Sequence, residues 1–140
     1  MNAERFPISP KLLCHGLVYF PRMLDKIRLH SAGQLPAAYH ENLGQGMDSW
    51  ICQFLHIEYE TVRALVADGA SDDSIFKHCC SQGRRPNAFE IQMFNEFLAK
   101  RGFRDGMTER LAMRKQEAGW SARDDIQTFF DYIECDELRQ

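Results

Sequence analysis

The chain has 140 residues, 44% of them hydrophobic and 26% charged, which is ordinary globular usage for one domain of common size. Its net charge of −3, from 17 basic and 20 acidic residues, lacks the basic excess of a general nucleic-acid binder, so no nucleic-acid partner is expected. No apolar run approaches the roughly 18 residues a membrane span needs, so no membrane partner is expected either. The odd set Cys14, Cys52, Cys79, Cys80 and Cys135, with no secretory leader in the short polar start, suits reduced thiols in a cytoplasmic protein.

The elements read in chain order predict a compact, all-α bundle of about six helices in a single domain, residues 1–140. Leu12 to Phe20 fits either a helix or an extended segment. Pro21 stands where a helix start tolerates its missing N–H, and that helix runs to about residue 32. Met47, Trp50, Ile51, Phe54 and Leu55 repeat as one buried helical face. Val62, Leu65 and Val66 continue it in a helix over about 58–67. Ser71 is an N-cap for a helix over 72–81, with Asp72 and Asp73 well placed in its first turn.

Asn87 and Glu90 stand three apart as a capping pair for a helix ending near Arg101. Phe89, Ile91, Met93, Phe94, Phe97 and Leu98 cover more than half of its circumference, which predicts the central helix of the bundle. A further helix is expected over about 107–118. Ser121 and Asp124 would cap a last one with the stripe Ile126, Phe129, Phe130 and Ile133. Gly33, Gly69, Gly83, Gly102 and Gly119 each follow a helical stretch, where a left-handed cap would stand.

Residues 20–48 are the likeliest home of a site. On a helix, Met23, Leu24 and Ile27 form one stripe and Arg22, Asp25 and Lys26 lie opposite. Leu29 projects between Arg22 and Asp25, which predicts that both sides of the helix are covered. Covered charges must be paired. Asp25 can reach Arg22 or Arg28 along the helix. Arginine grips carboxylate or phosphate bidentately, so an ordered cationic wall around a small anion is one reading and an ion pair that fixes the fold is the other.

The next segment gathers Tyr39, His40, Glu41 and Asn42, then Gly44, Gly46 and Asp48. Histidine changes charge near neutral pH and moves protons. Gly44 and Gly46 would let backbone N–H groups approach a ligand, though Asp48 in the following turn would repel an anion. His30 and His40 have no recognised metal-ligand spacing, and no Cys-x-x-Cys occurs, so neither a metal nor a cofactor is expected. No nucleophile signature occurs, and Cys79 and Cys80 read as small buried hydrophobes.

Pro21-Arg22-Met23-Leu24-Asp25-Lys26-Ile27-Arg28, Leu35-Pro36, Tyr39-His40-Glu41-Asn42 and Asp48 resemble the signature of a bacterial family designated domain of unknown function number five thousand and sixty-nine. Phe54-Leu55 with Tyr59, the turn Gly69-Ala70-Ser71-Asp72-Asp73, and the ending from Ile126 through Asp136-Glu137 extend the resemblance over nearly the whole chain. Residues 42–48 and Arg139 depart from the family forms. The resemblance implies a small helical bacterial protein and no established activity.

The expectation is a small-molecule site with His40 as proton shuttle and Asp25 as its orienter or base. Arg22, Lys26, Arg28, Tyr39 and Asn42 would bind a small anionic metabolite. An enzyme of this kind would be a cofactor-independent lyase, isomerase or hydrolase. The rival is a non-catalytic interaction module, a homodimer among its forms, that uses Phe103, Trp120 and Tyr132 as contact surface. A site requires Arg22, Asp25 and His40 to converge on one concavity, whereas an interface requires an apolar patch elsewhere.

Overall fold

The computed structural model describes residues 3–139. Among them are seven α-helices, one 3-10 helix and a two-stranded hairpin, so the chain is mostly helical with a minor sheet. The chain divides into two compact units, the first running to Gln92 and the second starting at Met93.

The first unit opens with β1 (Leu13–Cys14) and β2 (Leu17–Val18), paired antiparallel with Leu13 opposite Val18. His15 and Gly16 make the two-residue turn, with φ of 50° and 82°. Two successive positive φ values are what a tight hairpin turn demands. The ambiguous run at 12–20 is therefore this hairpin followed by a helix start.

Helix α1 (Phe20–Ser31) carries Pro21 in its first turn. A 3-10 helix (Ala37–Asn42) follows. Then come α2 (Met47–Leu55), α3 (Tyr59–Ala67) and α4 (Asp72–Gln82). Ser71 caps α4 by accepting from the Ser74 N–H. The core gathers Phe20, Met23, Leu24 and Ile27 of α1 with Ile51, Leu55, Val62, Val66, Ile75, Phe76 and Cys79. Gly83 is not the left-handed cap expected of it, since its φ is −101°. A Cβ there would lie 2.0 Å from the Leu55 carbonyl oxygen, so glycine is required by close backbone approach.

Helix α5 (Ala88–Ala99) opens with the Asn87–Glu90 pair, each backbone N–H donating to the other's side chain at 2.9 Å. It is not the wrapped central helix its composition suggests. Phe89, Met93 and Phe97 are 67%, 55% and 44% exposed, and Leu98 is its buried residue.

The second unit continues with α6 (Thr108–Glu117) and α7 (Phe129–Asp136) around Leu98, Leu111, Ile126 and Phe130. Helix α7 starts later than Ser121 and Asp124 suggested. Its capping box is Thr128 with Asp131. Lys115 Nζ donates to the carbonyls of Arg123 and Ile126, at 2.7 and 3.0 Å, and so braces the loop that precedes α7. No helix among the described residues is long and apolar enough to cross a membrane.

Candidate functional site

Helix α1 is covered on both sides. Arg22, Asp25 and Lys26 are only 3%, 7% and 5% exposed, and Leu29 is buried among them. Each of the three charges has a partner from outside the helix. Arg5 grips Asp25 bidentately, Nη1 to Oδ2 at 2.9 Å and Nη2 to Oδ1 at 2.8 Å, and the Ile8 N–H donates to Oδ2 at 3.0 Å. Arg22 Nη1 donates to the Ile8 carbonyl at 3.1 Å. These bonds strap the segment before β1 along the helix.

Lys26 turns into the core. Its Nζ lies 2.8 Å from Asp48 Oδ1 and 2.9 Å from the Tyr19 hydroxyl oxygen. Asp48 is fully buried, and its Oδ2 accepts the Gly44 N–H at 3.0 Å. Burial alone pulls the Lys26 pKa down, but Tyr19 and Asp48 more than offset it, and the net shift is upward. Burial, followed by Asp48, pushes the Tyr19 phenol up. Tyr19 also holds a left-handed φ of 70° just before α1. Such a conformation in a non-glycine residue persists only where the surroundings over-determine it. Asp48, at the start of α2, thus serves as the anchor that ties the Gly44 loop to α1.

Arg28 leaves this network. Its Nη2 pairs with Asp72 at 2.6 Å at the start of α4. His40 is exposed, its Nε2 lies 2.9 Å from the Leu35 carbonyl oxygen, and its ring meets that of His30 edge to face at 4.8 Å. Asp25 and His40 share no hydrogen bond: their bonds go to different partners. Tyr39 is half-buried and Asn42 exposed on the 3-10 helix.

The family model described as Domain of unknown function (DUF5069) matches residues 4–139, nearly the full chain. The chain belongs to this family. A comparison with curated proteins finds no match.

In this DUF5069 chain the concavities lie beside the ionic network. A pocket of about 350 Å3 is lined by Ile27, His30 and Ser31 of α1, by Leu43, Gly44 and Gln45 of the loop, and by Tyr59, Glu60 and Arg63 of α3. A larger one of about 740 Å3 adjoins it and shares Gly44 and Tyr59. A Cβ on Gly44 would stand 3.1 Å from the Tyr59 ring, so the ring rests on bare backbone. Burial pushes the Tyr59 phenol up, and its buried hydroxyl has no hydrogen-bond partner among the described residues.

Cys52 faces the larger pocket, but burial pushes its thiol up to about 12, which suits a buried hydrophobe and not a nucleophile. Among the described residues no three His, Cys, Asp or Glu side chains are grouped to hold a metal ion. Arg5, Tyr19, Tyr59 and Arg63 were not singled out as site residues by the sequence. Asp48 lies within the 20–48 stretch and Tyr19 immediately before it, both at helix starts, which is a usable signal. Nothing local marks Arg5, which stands 20 residues before its partner.

Proposed function

We propose that the first unit binds a small anion between His30 and Arg63. The observation that carries this reading is their convergence, from α1 and α3, on one concave pocket. Arg63 donates to Glu60 through Nε at 3.0 Å, but both side chains are more than half exposed. Such a pair contributes under about 1 kcal/mol, so an incoming carboxylate or phosphate competes with it readily. The guanidinium fork then supplies planar donors, and His30 with its neighbour His40 supplies imidazoles for hydrogen bonding or proton transfer.

This keeps the anionic ligand and the His40 proton shuttle of the sequence reading and moves the cationic wall. Arg22, Lys26 and Arg28 are spent on Ile8, on Asp48 with Tyr19, and on Asp72. Asp25 positions the strap before β1 and does not act as a base. Isothermal titration with inorganic phosphate and with succinate tests the proposal. Arg63→Gln and His30→Gln should each weaken binding at least tenfold while circular dichroism stays unchanged. Equal affinity in the variants, or no binding of either anion, refutes it.

A second reading, a non-catalytic module that self-associates, is favoured by the face of α5. Phe89, Met93 and Phe97 stand four apart on it and are exposed, a grouping uncommon on a monomer's surface. Trp120 and Tyr132, expected in such a surface, instead pack on each other with ring centroids 5.6 Å apart, while Phe103 is exposed.

A further inference from the structure

The larger pocket has a chemistry unlike its neighbour. Three helices build it: Ser49 and Gln53 from α2, Thr61 from α3, and His78 and Gln82 from α4. No Lys or Arg lines it, and its single carboxylate is Glu58. A second anionic group would therefore meet no fixed cation there and one fixed negative charge. The Glu58, Thr61, His78 and Gln82 side chains make no hydrogen bond or ion pair among the described residues. The charged residues of α1 and the Arg63–Glu60 pair, by contrast, are all engaged.

Hydroxyl, amide and imidazole groups each both donate and accept hydrogen bonds. A set of them converging on one concavity matches a neutral body rich in hydroxyls. Tyr59 supplies a phenol ring to the wall, beside the imidazoles of His56 and His78, which add donor and acceptor nitrogens. Gly44 and Tyr59 belong to both pockets, which makes one molecule spanning the two geometrically natural.

We propose that the two pockets together take a sugar phosphate. Its phosphate sits beside His30 and Arg63, and its hydroxylated body lies among Thr61, His78 and Gln82, over the Tyr59 partition. This rests on the reading of the smaller pocket as an anion site and names the ligand class for it. The placement of polar groups gives specificity for hydroxyls, because each left unpaired on binding costs affinity.

The experiment is calorimetric titration of the full chain with inorganic phosphate, glucose and glucose 6-phosphate. Glucose 6-phosphate should bind at least tenfold tighter than phosphate. The double variant Thr61→Val, Gln82→Leu should remove that gain and leave phosphate affinity unchanged, and Gln82→Leu alone serves should the double variant misfold. Arg63→Gln should weaken both phosphate and glucose 6-phosphate. Equal affinity for these two compounds in the unaltered chain overturns the spanning ligand and leaves the anion site standing. A gain that survives the double variant places the sugar elsewhere and overturns the assignment of the second pocket. Absence of phosphate binding overturns the sugar phosphate, and phosphate binding insensitive to Arg63→Gln overturns both proposals.

Discussion

At Lys26 the ammonium group is taken out of water, a costly step that the Asp48 carboxylate and the Tyr19 oxygen reverse at 2.8 and 2.9 Å. Removing one member of a buried pair leaves the other charge unpartnered. Lys26→Met or Asp48→Leu alone should therefore cost about 3–5 kcal/mol in urea unfolding. The combined Lys26→Met, Asp48→Leu variant should cost far less than the sum, since both charges leave together. Additive losses would show that the pair is not coupled. Cys52 makes the opposite point: burial pushes its thiol up to about 12, so the neutral form dominates near neutrality. Iodoacetamide at pH 8 should modify Cys52 much more slowly in the native chain than in urea, as read by peptide mass spectrometry. Comparable rates would contradict its burial.

Helix α1 is held by what lies across it. Asp25→Asn should loosen the strap formed by Arg5 and the Ile8 N–H and speed amide exchange at Ile8. The loss should be about 1–2 kcal/mol, because Arg5 is half exposed and solvent screens the pair. Unchanged exchange at Ile8 would count against the strap. At α7, Thr128→Ala should cost about 1 kcal/mol through the lost N-cap, whereas Ser121→Ala should cost nothing measurable in the same denaturation assay. The sequence offers two Ser/Thr-x-x-Asp starts seven residues apart, and local pattern alone does not choose between them. The structure closes the box at Thr128 and Asp131, while Lys115 braces the loop before it through the Arg123 and Ile126 carbonyls. The Asn87–Glu90 box had no such competitor and is where the pattern put it.

For the whole chain, acid sensitivity follows from carboxyls held below their usual range. Hydrogen bonds from Lys77 and His15 lower Asp73, the Asn87 N–H and Arg84 lower Glu90, and Arg123 takes Asp125 to about 2. A depressed folded-state pKa contributes stability that is present above the unfolded value and lost as pH falls through the folded one. The urea midpoint should thus be flat from pH 7 to about 5 and fall below about 4. A midpoint that rises on acidification would contradict these pairings. The exposed α5 face predicts concentration-dependent association in sedimentation equilibrium, abolished by Phe89→Glu with Met93→Glu. A monomer at every concentration would remove the self-association reading.

The amino-acid order by itself determined α1 to α6 to within a few residues, the caps at Ser71 and Asn87, and the covering of α1 on both sides. Those features depend on residues within a turn or two of one another, and periodicity records them. It also carried the family resemblance, because charged residues at fixed offsets survive in the linear text. Only the tertiary structure decided which partner each α1 charge takes, that Asp25 and His40 do not meet, that α5 leaves Phe89, Met93 and Phe97 in solvent, and that His30 and Arg63 share a pocket. Each of these rests on segments distant in the chain being brought together by burial, and an apolar face does not state in advance which surface, if any, will cover it.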